Sequence, residues 1–127
     1  MFFLIIFIGF KAYSNIKSNS LHKHISFNDV QSIKINASRI SDHEEIQNIV
    51  NWFNSIQDIN ENPDFAGTTS NYNIEILLKS NEKIGIFYPG KANQDFEIQR
   101  NNIKGRWFSY WGNQPNIRKI LEENTPK

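Results

Sequence analysis

The chain has 127 residues, no cysteine and a net charge of +1, with 39% hydrophobic and 13% aromatic residues. That length holds one ordinary core and not two, and the near-zero charge excludes a global field steering the protein toward nucleic acid or a membrane. The missing cysteine excludes disulfides, thiolate metal sites, thiol nucleophiles and lipidation at cysteine. Ile and Asn together make up roughly 30% of residues, a bias that codon usage in an AT-rich bacterial genome produces.

The chain opens with MFFLIIFIGF, ten residues too apolar to leave in water and, as a helix, about 15 Å long against a roughly 30 Å hydrocarbon core. With the small residues Ala12 and Ser14 just downstream, residues 1–14 are expected to be an export signal. No positive residue precedes the apolar run, which fits a natural start further upstream and, with it, a membrane anchor. Residues 15–28 are mostly Ser, Asn, Lys and His and read as a polar linker, leaving 29–124 as a single domain. DVQSIKIN (29–36) alternates at Ile33 and Ile35 with Val30 out of phase, a first strand with an irregularity near its start.

The strongest pattern is SDHEEIQNIVNWFNSIQDI (41–59). Ile46, Ile49, Val50, Phe53 and Ile56 recur at three-and-four spacing and line one face of a helix. Ser41 and Glu44 have the spacing of a capping box, and Asp42, Glu44 and Glu45 suit the positive first turn. Residues 60–71, NENPDFAGTTSN, form a loop dense in turn formers. Strands are then predicted at Tyr72 to Leu78, Ile84 to Tyr88, Phe96 to Ile98 and Gly105 to Trp111, and a last helix at Pro115 to Asn124. The order is β-α-β-β-β-β-α. This is an α+β fold, an antiparallel meander of four to five strands with the long helix on the face carrying Tyr72, Ile74, Ile76, Ile84 and Ile86.

Alternation turns Leu77 and Phe87 away from that helix, together with one of two sets in the last strand, Trp107/Ser109/Trp111 or Phe108/Tyr110. Leu77, Phe87, Trp107, Phe108 and Tyr110 are therefore the candidate binding residues, an aromatic patch suited to sugar, peptide or protein. The competing expectation is that most of the seventeen aromatics serve as core and that the last helix or the 60–71 loop covers the patch. The stretch from Lys79 to Lys119 carries a net +5 and reads as a solvated positive face, not a surface for nucleic acid.

No enzyme is expected. There is no nucleophile elbow and no glycine-rich phosphate loop, and Glu75, Asp95 and Glu97 read as solvated strand carboxylates. No metal or cofactor is expected either. His22 and His24, with Asp29 nearby, fall in the linker, and His43-Glu44-Glu45 lacks the second histidine one turn on that a zinc helix needs.

Taken together, the apolar leader, the linker, the strand DVQSIKIN, the capped helix ending in Trp52-Phe53-Asn54, the long loop and the strand YNIEILLKS resemble the small exported or membrane-anchored, lipoprotein-like domains of low-GC bacteria. The resemblance covers residues 29 to 111. It implies an extracytoplasmic location, membrane-anchored or secreted, and no particular activity. The modified cysteine of the lipoprotein members is absent here, so lipidation does not carry over. The expected function is a non-enzymatic extracytoplasmic domain that binds a protein or envelope polymer through the outer sheet face and the 60–71 loop. It would touch the membrane only through an uncleaved N-terminal segment, and bind no nucleic acid. The alternative is a cytoplasmic immunity- or inhibitor-type protein acting by surface complementarity.

Overall fold

Isoleucines spaced two apart bury one face of an extended chain, and this spacing recurs in three segments that pair side by side in a sheet, at Ile33/Ile35, Ile74/Ile76 and Ile84/Ile86. The computed structural model describes residues 21–69, 72–88, 95–102 and 104–123, so the expected signal or anchor at 1–14 lies outside the described residues. The strands are β1 (Val30–Ile35), β2 (Ser38–Arg39), β3 (Gln57–Glu61), β4 (Ile74–Leu78), β5 (Lys83–Phe87), β6 (Phe96–Asn101) and β7 (Trp107–Asn113). The helices are α1 (His43–Asn54) and α2 (Pro115–Glu123). One sheet runs β2-β1-β4-β5-β6-β7-β3 with every neighbouring pair antiparallel. The expected α+β meander is present as β4 to β7, and β1 joins it with a register shift between Val30 and Ser32.

The sheet has seven strands where four to five were expected, and both additions are at its edges. β2 is two residues long and closes on β1 through Asn36 and Ala37, whose φ values of 48° and 68° match the left-handed pair a tight hairpin needs. β3 pairs with β7 across an irregularity at Asp58, where φ is 57°. It takes up the end of the predicted helix and the start of the predicted loop. α1 is accordingly twelve residues, about 18 Å, and stops where the Ser55 N–H and Oγ both bond to the Asn51 carbonyl. Ile56 and Ile59 sit three apart, so a helix would bury both. The extended chain also brings them inward, over Gly112, where a Cβ would lie 2.5 Å from Ile56 Cγ2 and 3.4 Å from Ile59 Cδ1. The cap is Asp42, whose carboxylate accepts the Glu44 N–H at 3.2 Å, and Ser41 lies one residue ahead of it, outside the box read from the sequence.

Register fixes what lies beneath the helices. Ile33, Ile76, Ile84, Arg100 and Phe108 form one cross-strand row, and Ile35, Ile74, Ile86, Ile98 and Tyr110 the next. Ile49, Val50 and Phe53 of α1 and Ile117 and Leu121 of α2 complete one core with them. Tyr72, expected on this face, lies on the other one, because its ring covers Gly85.

Leu21–Asn28, the described part of the stretch read as a linker, is packed onto this core. Asn54 clamps Ile25, accepting its N–H and donating to its carbonyl, both at 2.8 Å. His22 is buried between α1 and β7. Its Nε2–H donates to the Phe53 carbonyl at 2.8 Å and Nδ1 accepts from the Tyr110 hydroxyl at 2.7 Å, so the neutral ring satisfies both partners. Burial lowers its pKa from 6.5 to about 4, with the positive charges of Arg100 and His24 acting the same way and the Phe53 carbonyl opposing them. Burial also pushes the Tyr110 phenol up to about 12 against the pull of Arg100, which keeps it a donor. Among the described residues, no helix is long and apolar enough to cross a membrane.

Two outcomes follow from this packing. Phe53→Ala removes a fully buried ring and should cost about 3 to 5 kcal/mol in a thermal or urea melt; an unmoved melt would refute the placement of α1. Folded His22 refuses a proton that the unfolded chain accepts. Its contribution is therefore complete above pH 6.5 and is lost as the pH falls toward about 4, by up to ~3 kcal/mol. Melts recorded from pH 7 to 4.5 should show that decline, and His22→Gln should flatten it.

Candidate functional site

With both helices on one side, the other side of the sheet is the candidate site, and its centre is polar. Alternation in FEIQR turns Phe96 and Ile98 inward, which leaves Glu97 and Gln99 pointing out, facing Ser109 of β7. Ser109 Oγ and Gln99 Nε2 both donate to Glu97 Oε2, at 2.9 and 2.6 Å. Gln99 Oε1 in turn accepts from the Tyr72 hydroxyl at 2.8 Å and from the Thr69 N–H at 3.1 Å. Asn62 Nδ2 reaches Ser109 Oγ at 3.3 Å. Glu97 is only 8% exposed, and the two donors replace the water its carboxylate has lost.

These bonds bring the two described ends of the long loop down onto the sheet. The tightest point is Gly85, where an added Cβ would fall inside the Tyr72 ring, so only a residue without a side chain lets the ring lie flat on β5. Burial raises the Tyr72 phenol pKa, and the carboxylates of Glu75 and Glu97 add to the shift, so the hydroxyl stays a donor to Gln99. Lys83 Nζ lies 5.9 Å from the Tyr72 ring centroid and pairs with Glu75 at 3.1 Å.

Around this centre stand the residues singled out from sequence. Leu77 and Phe87 lie on the outer face, and the register of β7 selects the set Trp107, Ser109 and Trp111 to join them. Leu77, Phe87, Trp107 and Trp111 are all half-buried, and Phe87 stands 6.2 Å from Tyr72 between ring centroids. Phe108 and Tyr110 belong to the opposite face, in register with Arg100 and Ile98. Tyr110 is wholly buried and Phe108 half-buried at the rim, so the five residues do not form one patch. A shallow depression beside Leu77, bounded by Ser32, Lys34, Glu75 and Lys83, extends the outer face toward β1.

The other candidates scatter. Glu75 is held by Lys83 and Glu97 by Ser109 and Gln99, in different cross-strand rows. Of the basic residues between 79 and 119, Lys83 faces outward from the sheet, Arg100 lies under the helices and Arg118 pairs with Glu122 on α2. Among the described residues, no three of His, Asp and Glu gather as a metal site. No protein-family model matches the chain, and neither a curated protein nor a solved structure matches it.

Gly85→Ala should push the Tyr72 ring off the sheet and cost about 1 to 3 kcal/mol, as overpacking does. Tyr72→Phe should lose only the hydroxyl bond, about 1 kcal/mol. Urea melts of the two variants check this, and a Gly85→Ala melt matching the parent would contradict the close approach.

Proposed function

We propose that the protein is a non-enzymatic binding domain, acting outside the cytoplasmic membrane, whose outer sheet face takes a protein or an envelope polymer. One observation carries the reading. The two helices occupy one side of the sheet, and the other side keeps Leu77, Phe87, Trp107 and Trp111 half-exposed around side chains already fixed by hydrogen bonds. Half-exposed aromatics offer contact area with few rotamers to freeze, and a pinned polar centre orients a partner without reorganising first. The described part of the loop forms one wall of this surface through Asn62 and Thr69.

Purified protein should sediment with isolated cell wall or form a stable complex with an envelope protein. Trp107→Ala and Phe87→Ala should weaken that association at least tenfold while the melt moves by less than about 1.5 kcal/mol, as befits half-exposed positions at an interface. Lys119→Ala, on α2, is the control and should bind as the parent does. Equal binding by all three variants would exclude the outer face. A tight stoichiometric complex with a cytoplasmic protein would replace this reading with an immunity- or inhibitor-type role.

A further inference from the structure

The row Ile33, Ile76, Ile84, Arg100, Phe108 places a guanidinium where three neighbouring strands place isoleucine. Arg100 is 3% exposed. Its Nη1–H donates to the Lys23 carbonyl at 2.9 Å, and its guanidinium carbon stands 5.7 Å from the Phe53 ring centroid, with the Tyr110 phenol also adjoining it. None of these partners is an anion. Among the described residues no carboxylate pairs with Arg100: Glu75 holds Lys83, and Glu122 holds Arg118. A buried cation without a counter-charge bears a desolvation cost that an incoming anion offsets.

Arg100 also lines a groove of about 500 Å³ on the helix side, where the β4–β5 and β6–β7 turns meet the N-terminal segment. Lys23 and Lys104 add two more positive charges to its wall, and Leu21 and Phe108 supply apolar surface. Among the described residues Glu82 is the one acidic group on its wall, hydrogen-bonded by the Ser80 hydroxyl within its own turn, so three cations face one carboxylate there. A guanidinium fork matches the paired oxygens of a carboxylate or phosphate.

We propose that this groove is a binding site for a small amphiphilic anion, whose carboxylate or phosphate head sits among Arg100, Lys23 and Lys104 and whose short apolar tail lies along Leu21 and Phe108. The site is separate from the outer sheet face and does not depend on the function proposed for it.

The test is an NMR titration of the ¹⁵N-labelled full chain with octanoate, octyl phosphate and octanol. Octanoate and octyl phosphate should shift the amides of Leu21, Lys23, Asn101, Asn102 and Lys104 saturably, and octanol should bind at least tenfold more weakly. The tighter of the two anions identifies the head group, carboxylate or phosphate. Arg100→Gln should abolish binding, but it alters a buried group. The double variant Lys23→Gln/Lys104→Gln changes only exposed side chains; it should keep the parent melt and weaken binding about tenfold. The proposal falls if neither anion gives saturable shifts at these amides, if octanol binds as tightly as they do, or if the double variant binds like the parent.

Discussion

Phe53 is where the parts of this protein meet. Its ring is fully buried between α1 and the sheet, its carbonyl accepts the proton of His22, and the guanidinium of Arg100 and the imidazole of His22 both lie against its face. One turn of helix therefore anchors three things: the isoleucine face of the sheet, the segment ahead of β1, and the charge beneath them. The neighbouring Asn54 extends that anchorage by binding both backbone groups of Ile25. Deleting the ring would open a cavity and also strip the wall from the buried imidazole and guanidinium.

With one side of the sheet closed in this way, the other is left to the loop. Tyr72 and Thr69 bind Gln99, and Asn62 binds Ser109, so backbone that would otherwise stray from the sheet is fixed to it by a few side-chain bonds. The buried carboxylate of Glu97 ties Gln99 and Ser109 together. A satisfied polar network of this kind rigidifies the face and specifies one arrangement of it. It sets the geometry in which Phe87, Trp107 and Trp111 stand.

Much of this was legible in the sequence because period-two and period-3.6 patterns record burial directly. The alternation from Ile74 to Leu78 and from Ile84 to Ile86 gave the central hairpin, and Ile49, Val50 and Phe53 gave the helix face that covers it. The ends of elements were less legible. Ile56 and Ile59 have helical spacing, and an extended chain turns both inward only through the irregularity at Asp58, so the pattern overran Asn54 into β3. β2 is two exposed residues with no apolar signal of its own. The β7 run WFSYW is aromatic at four of five positions, so alternation could not say which set faces in; pairing with Arg100 and Ile98 decided it. The packing of His22 was hidden by composition, since a polar stretch rich in Ser, Asn and Lys reads as linker although a neutral imidazole can be buried when both nitrogens are bonded. A signal for Glu97, Gln99 and Arg100 was present in FEIQR, whose alternation, carried two residues past Ile98, turns the arginine inward and the carboxylate outward.

The account rests on the claim that residues ahead of β1 help to close the helix side of the sheet. Amide hydrogen exchange across the full chain at neutral pH tests this most directly, because among the described residues the Ile25 N–H bonds to the Asn54 side chain alone. It should exchange as slowly as amides of the central strands β4 and β5. An Ile25 amide exchanging at the rate of an unstructured peptide, with those strands protected, would show that the segment does not dock and would contradict the account.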